Sequence, residues 1–282
     1  MPGLPGQGGG EDPSDPTALT TLRPEAQPRH DDPPLFRARV AAALAPMHEE
    51  PRVASQQVSQ QLAGHDVDVM DVEGDWVLAR GEDSYEGWVH TGFLEKDVAS
   101  PAPGRLISLG CTTERDGQIR RSLPLRAILR PDEQVIAGEA LDTATLASRF
   151  PLTPASIART AKELFRGTSY VWGGVTPWGA DCSGLVQSTF ALHGRTLPRD
   201  AWQQAELGAP GPENFGALRT GDLLFFSDRS DKRITHVGTA LGPNEMVHLA
   251  LGRGGYSCEH LDSSETYIAK LRDRFLFSRR LL

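Results

Sequence analysis

From Gln56 to His90 short apolar runs alternate with polar residues, and glycines punctuate them. Val67, Val69 and Val72, then Trp76, Val77 and Leu78, then Trp88 and Val89 supply the β-formers, with Gly64, Gly74, Gly81 and Gly87 at the breaks. A strand turns successive side chains to opposite faces. This texture therefore predicts four or five brief strands, curled into a small half-open barrel over residues 33–98. Within that region LFRARVAAAL, Leu35 to Leu44, predicts one short helix. A weaker strand texture follows, in runs at Arg105–Leu109, Leu123–Ala127 and Gln134–Ala137. It predicts a second small β-domain over residues 99–148.

The period changes at Pro151. Thr153 and Pro154 read as an N-cap and first helical residue, Ile157, Ala161, Leu164 and Phe165 recur on one stripe, and Gly167 closes the helix. After the glycine-rich YVWGGVTPWGADCSG, a second helix carries Leu185, Val186, Thr189 and Phe190. Three strand-like runs come next, at Asp222–Ser227, His236–Leu241 and Glu245–Leu251. Helix first and strands after predict an α+β domain over residues 149–282, with a helix packed on an antiparallel sheet.

Apolar residues make up only 39% of the chain, and the opening stretch explains the deficit. Residues 1–32 are rich in Pro, Gly, Asp and Thr and cannot bury enough surface to offset their ordering entropy, so a disordered arm is expected there. The start has neither a basic nor an apolar targeting segment, and no apolar run is long enough to span a bilayer. A cytoplasmic location with no membrane partner is the expectation. A net charge of −8 argues against a phosphate-backbone binder, so nucleic acid is not an expected partner. The three cysteines, Cys111, Cys182 and Cys258, are too few and too scattered for a disulfide framework. No Cys or His pair has zinc-ligand spacing, so no structural metal is expected.

The chemistry gathers at Asp181-Cys182-Ser183-Gly184. A Gly- and Pro-rich approach followed by a helical pattern puts Cys182 at a helix N-terminus, where unpaired N–H groups and the helix dipole favour a thiolate and can receive a developing oxyanion. Most free cysteines are small buried hydrophobes, and Cys111 and Cys258, which lack such surroundings, are expected to be structural. A thiol nucleophile needs a base, and the base needs an orienting partner. THVGTAL and EMVHLAL flank Gly242-Pro243-Asn244, a turn signal. With the turn centred on Gly242, His236 lies directly opposite His248 on one face, their Cβ atoms about 5 Å apart. A shift of one residue would turn His248 away. Asp181 opposes thiolate formation by like charge; its ordinary role is an N-cap, and its sharper one an anion for a cationic substrate group.

At these residues the sequence resembles the NlpC family of papain-like cysteine peptidases. The resemblance rests on YVWGG and DCSGLVQ around Cys182, LPRDAWQQ at Leu197–Gln204, GDLLFF at Gly221–Phe226, and THVG with VH at His236 and His248. It implies a Cys182–His236–His248 catalytic set, with Tyr170 helping to stabilise the oxyanion, and no metal or organic cofactor. HEEP at His48–Pro51 and DSYEGWV at Asp83–Val89 resemble the first bacterial SH3-like domain of the cell-wall-recycling members. The expected architecture is thus a papain-like domain preceded by two small SH3-like barrels.

Those members are γ-D-glutamyl-L-diamino-acid endopeptidases. They cut short murein peptides such as L-Ala-γ-D-Glu-diaminopimelate, or the lysine equivalent, that carry a free N-terminal L-Ala. By the same resemblance Glu50 (or its neighbour Glu49), Tyr85, Asp181 and Ser183 form the pocket for the free amine, and Trp172 joins the substrate-binding set. Three rival readings stay open: a secreted wall hydrolase of the same chemistry, a silent wall-peptide-binding module, and a related acyltransferase or amidase.

Overall fold

Arg37 and Arg39 decide the first element. The segment from Leu35 to Leu44 is not the expected helix but β1 (Phe36–Val40) and the start of β2 (Leu44–His48). Ala38 and Val40 turn into a core while Arg37 and Arg39 turn outward to Asp68 and Asp66, at 2.9 and 2.6 Å. Partners on a neighbouring strand override the helix propensity of an Ala- and Leu-rich run.

The structure, a computed structural model, describes residues 33–96 and 104–282; the expected arm, residues 1–32, lies outside the described residues. After β1 and β2 come β3 (Gln57–Leu62), β4 (Asp66–Glu73), β5 (Trp76–Arg80), β6 (Glu86–His90) and β7 (Leu94–Lys96). They form one antiparallel sheet in the order β3-β2-β6-β5-β4-β1-β7. Its inner face holds Ala38, Val40, Ala45, Met47, Val67, Val69, Val77, Ala79 and Val89, the period-two positions of the sequence.

The next region holds β8 (Leu106–Arg115), β9 (Ile119–Leu123) and β10 (Gln134–Asp142), a three-stranded sheet ordered β10-β8-β9 where a second small barrel was expected. The reason lies in where its apolar residues go. Ile107 and Leu125 join the core of the following domain, whereas Cys111, Leu123, Ala127 and Leu129 pack with Leu62 and Ala63 of the first barrel and with Val175. The sheet therefore works as a wedge between two neighbours, with no separate core of its own.

The C-terminal domain opens with α1 (Leu146–Arg149) and α2 (Pro154–Leu164), the latter capped as expected by the Thr153 hydroxyl accepting from Ser156 N. A short hairpin, β11 (Val175–Thr176) and β12 (Gly179–Ala180), leads into α3 (Cys182–Leu192) and α4 (Ala201–Gln204). A six-stranded antiparallel sheet follows. It is built from β13 (Ala209–Pro210), β14 (Leu223–Phe226), β15 (His236–Gly242), β16 (Glu245–Ala250), β17 (Gly255–His260) and β18 (Phe275–Arg280), in the order β13-β18-β14-β15-β16-β17. Between β17 and β18 runs α5 (Thr266–Arg274).

Both faces of this sheet are covered, which is why LLFF in β14 is apolar throughout. Leu223 and Phe225 pack with Ile157 of α2 and Leu185 of α3, while Leu224 and Phe226 pack with Ile268 and Leu271 of α5. The expected helix-on-sheet packing is present, with a second helix on the far face.

Candidate active site

Cys182 is the first residue of α3, and Asp181 is its N-cap, its side chain accepting from Gly184 N at 2.7 Å. The thiol lies against the backbone N–H groups of Ser183 and Val237, so the helix start and the start of β15 meet at the sulfur. These donors lower its pKa, yet burial, aided by the Asp181 charge, outweighs them and pushes the Cys182 thiol up to about 12. Burial and the Asp181 charge thus work against the thiolate that the helix start favours. Gly184 has no freedom to be anything else, since a Cβ there would meet Gly174 O at 2.1 Å.

His236 and His248 do come together, but not as directly opposed residues. β15 and β16 pair Thr239 with Val247 and Ala240 with Met246, with an irregularity before Gly242 pairs with Glu245. The turn therefore sits at Pro243-Asn244, about one residue later than expected, and the pairing moves by two. A shift of two preserves the face, so the rings still meet diagonally, His236 Nε2 to His248 Nδ1 at 2.8 Å. Burial, then the neighbouring His248 and Arg274, hold His236 well below the usual imidazole range, so it rests neutral. On its other side His248 Nε2 faces Glu259 Oε1 at 3.2 Å.

Beside the nucleophile stands a residue that sequence reasoning passed over inside LPRDAWQQ. Arg199 is 1% exposed, and each of its five N–H groups has an acceptor. Nη1 donates to Asp181 Oδ1 at 3.0 Å and Ser183 Oγ at 2.8 Å, and Nη2 to Asp181 Oδ2 at 2.6 Å and Gly174 O at 3.5 Å. Nε donates to Ser59 Oγ, on β3 of the barrel, at 3.2 Å. The guanidinium offsets the Asp181 charge next to the thiol. Asp181 also accepts from Gly173 N at 2.8 Å, so both of its oxygens are already engaged.

Residues 167–272 match the NlpC/P60 family, and residues 47–94 match the bacterial dipeptidyl-peptidase Sh3 domain. The C-terminal domain is an NlpC/P60 domain. A γ-D-glutamyl-L-lysine dipeptidyl-peptidase of Bacillus cereus is 28% identical over 229 residues, covering 69% of this chain and 68% of the relative. One of the same name from Bacillus subtilis is 40% identical over 107 residues, 38% of this chain and 35% of the relative, so the matched stretch spans about a third of that protein. The solved structure of an NlpC/P60 family protein from Bacillus cereus shares the fold, with a TM-score of 0.70 at 19% identity over 87% of this chain and 99% of that one.

In the NlpC/P60 domain Tyr170 is half-buried, and burial together with the nearby Cys182 and Asp181 raises its pKa, leaving a neutral hydroxyl able to donate near the sulfur. The barrel docks beside it through backbone and amide contacts. Gln57 Nε2 donates to Trp172 O at 2.9 Å, Val175 N to Gln60 Oε1 at 3.1 Å, and Gln187 Nε2 to Asp83 Oδ2 at 2.7 Å. Gly173 makes the approach possible. Its φ is +73°, and a Cβ there would stand 2.8 Å from Gln57 O.

The remaining sequence candidates divide. Tyr85 stands in the field of Asp200, Arg199 and Asp181, and burial first, then the two carboxylates, raises its pKa. Ser183 is buried and saturated by Asp181 and Arg199. The Trp172 side chain is 57% exposed at the rim. Glu49 and Glu50 are both exposed, and Glu50 pairs with Arg52 at 2.6 Å. Asp200 was not anticipated: burial raises its pKa beside Arg199 and Asp181, and Trp202 hydrogen-bonds to it. Cys111 is buried as expected of a structural cysteine, whereas Cys258 is exposed on β17, with the Tyr256 hydroxyl 3.1 Å away. Among the described residues no group of three or more His, Cys, Asp or Glu gathers to hold a metal.

Proposed function

We propose that the chain is a cysteine endopeptidase that hydrolyses the γ-D-Glu–diamino acid bond of short murein peptides bearing a free N-terminal L-Ala, in cytoplasmic cell-wall recycling. The observation that carries this reading is the placement of Tyr85. Tyr85, on the barrel, lies within the field of Asp200, Arg199 and Asp181 beside the nucleophile, and the reading makes it the wall of the pocket that takes the peptide's N-terminus. An ammonium taken into such a pocket must meet carboxylates or its desolvation is prohibitive. Because Asp181 is already occupied by Arg199, Asp200 and a glutamate of the loop after β2, Glu50 or Glu49, are the candidates to meet it. A blocked or longer chain lacks the charge and strikes the wall. The name of the Bacillus cereus relative, which matches over 69% of this chain, is γ-D-glutamyl-L-lysine dipeptidyl-peptidase; it supports the same bond class and favours lysine as the diamino acid.

In the reaction His236 takes the Cys182 proton as the sulfur attacks the γ-D-Glu carbonyl carbon. The oxyanion is held by the N–H groups at the α3 start, with the Tyr170 hydroxyl beside them. His236 returns the proton to the departing amine of the diamino acid, leaving a thioester on Cys182. Water, deprotonated by the same imidazole, then releases L-Ala-γ-D-Glu and the free thiol.

Mass spectrometry on L-Ala-γ-D-Glu-lysine, its diaminopimelate equivalent, their N-acetyl forms and whole sacculi tests the reading. Cleavage confined to free-amine tripeptides is expected, and none with the Cys182→Ala variant. Equal rates on acetylated and free peptides would remove the amine pocket, and release from sacculi would favour a wall hydrolase.

A further inference from the structure

A neutral imidazole has one N–H and one lone pair, so two imidazoles in contact can bond in either of two senses. If His248 donated from Nδ1, His236 would accept on Nε2 and carry its own proton on Nδ1. That ring could take nothing from a thiol. If His236 donates from Nε2, its Nδ1 lone pair stays free. The 2.8 Å contact between the rings does not itself choose.

The choice comes from behind His248. Its Nε2 faces Glu259 Oε1, and the two residues are 1% and 5% exposed. Burial alone would raise the Glu259 pKa, but hydrogen bonds from His248, Arg253 and Ser257 hold it at about 2, so it is a carboxylate and can only accept. Arg253 clamps it, Nε to Oε1 at 2.8 Å and Nη2 to Oε2 at 2.9 Å. Glu265 holds the same guanidinium from outside at 2.7 and 2.9 Å. Against this carboxylate His248 must donate from Nε2, which leaves its Nδ1 to accept from His236.

We propose that Glu259, clamped by Arg253, is the positioning residue that fixes the tautomers of both histidines and so keeps His236 Nδ1 ready as the base. The inference rests on the cysteine-peptidase reading of the site and extends it by one link. The other groups near the rings are Arg274 and Phe226 beside His236, the latter at 5.6 Å, and Tyr267 edge-on to His248 at 6.4 Å, with Arg253 stacked over Tyr267 at 4.0 Å. Among the described residues the acceptor hydrogen-bonded to His248 Nε2 is Glu259. Once His236 is protonated, the same carboxylate steadies the shared positive charge.

The test is Glu259→Gln, which keeps the shape but offers an amide able to donate as well as accept. Alkylation of Cys182 by iodoacetamide should slow about tenfold or more at neutral pH, since misplacing an imidazole tautomer is costly in related catalytic sets. The acid limb of the alkylation profile should move to lower pH, and KM for any cleaved peptide should hold while kcat falls. Nitrogen-15 NMR should show His248 as the Nε2–H form in the native protein and as a mixture in the variant, with Glu259→Asp restoring the native signal and part of the rate. Alkylation needs no peptide, so it tests this link even where the substrate assignment fails, and the peptide assay tests the substrate independently. Native rates and tautomers in folded Glu259→Gln would overturn the proposal. So would an Nδ1–H form of His248 in the native protein, a measurement that needs no variant.

Discussion

Because every N–H of Arg199 already has an acceptor, shortening the side chain takes the counter-charge from buried Asp181, which keeps only its neutral donors Gly173 N, Gly184 N and Ser183 Oγ, and removes a donor from Ser59, Ser183 and the Gly174 carbonyl. Removing one partner of a buried ion pair costs more than the pair contributes, because the other charge is left without solvent. Arg199→Met should therefore lower the unfolding free energy by about 3–5 kcal/mol in urea titrations and slow Cys182 alkylation, the Asp181 charge then being uncompensated. Arg199→Lys should fall between, keeping the charge but losing the planar fork. Asp181 and Cys182 were legible in the sequence because the cap, the helix start and the glycines that give them room lie within a few residues of each other. Arg199 was not. Its partners are 18 and 140 residues away, and a lone arginine before an acidic N-cap reads as a surface charge.

At the scale of elements, the hairpin of β15 and β16 survived an error because parity matters more than register. Any even shift returns both histidines to one face, and the observed shift is two. The turn itself holds Asn244 at φ +56° behind Pro243, a left-handed position that Asn and Gly tolerate and branched residues do not. Asn244→Gly should leave stability and alkylation near native values. Asn244→Val should cost about 1–2 kcal/mol in the same titrations, with histidine pairing retained in the folded fraction. α2 was readable from its one-sided apolar stripe, and α3 and β14 from compact apolar runs that are buried almost throughout. The Leu35 to Leu44 run was misread because its arginines meet Asp68 and Asp66 across the sheet, and α5 went unread because just Ile268 and Leu271 of its nine residues are buried. Glu259 sits on β17, another unread element, so its link to His248 could not be anticipated.

Over the whole molecule, three histidines are held neutral at separate places. His65 faces Arg126 O at 2.9 Å, between the first barrel and the wedge sheet, and burial with the nearby Arg126 lowers it to about 4. His193 bridges Pro151 O at 2.8 Å and Thr160 Oγ1 at 3.0 Å, lowered by burial, and His236 is lowered in the cleft. Each depressed pKa means that the unfolded chain binds a proton the folded one refuses. Above about pH 6.5 neither state is protonated and the stability these sites contribute is fully present. As pH falls through 6.5 toward 4 that contribution declines, by at most about 1.4 kcal/mol per pH unit for each ring and less at half-buried His65, where solvent screens it. Urea titrations from pH 7.5 to 4.5 should therefore show a falling midpoint at constant slope. His65→Gln, whose amide can still reach the Arg126 carbonyl, should flatten the curve by one ring's share without changing its value near pH 7.5. If the midpoint held level to pH 5, the rings would be protonated in the folded state. The neutral thiol–imidazole pair on which the chemistry rests would then have to give way to a charged one.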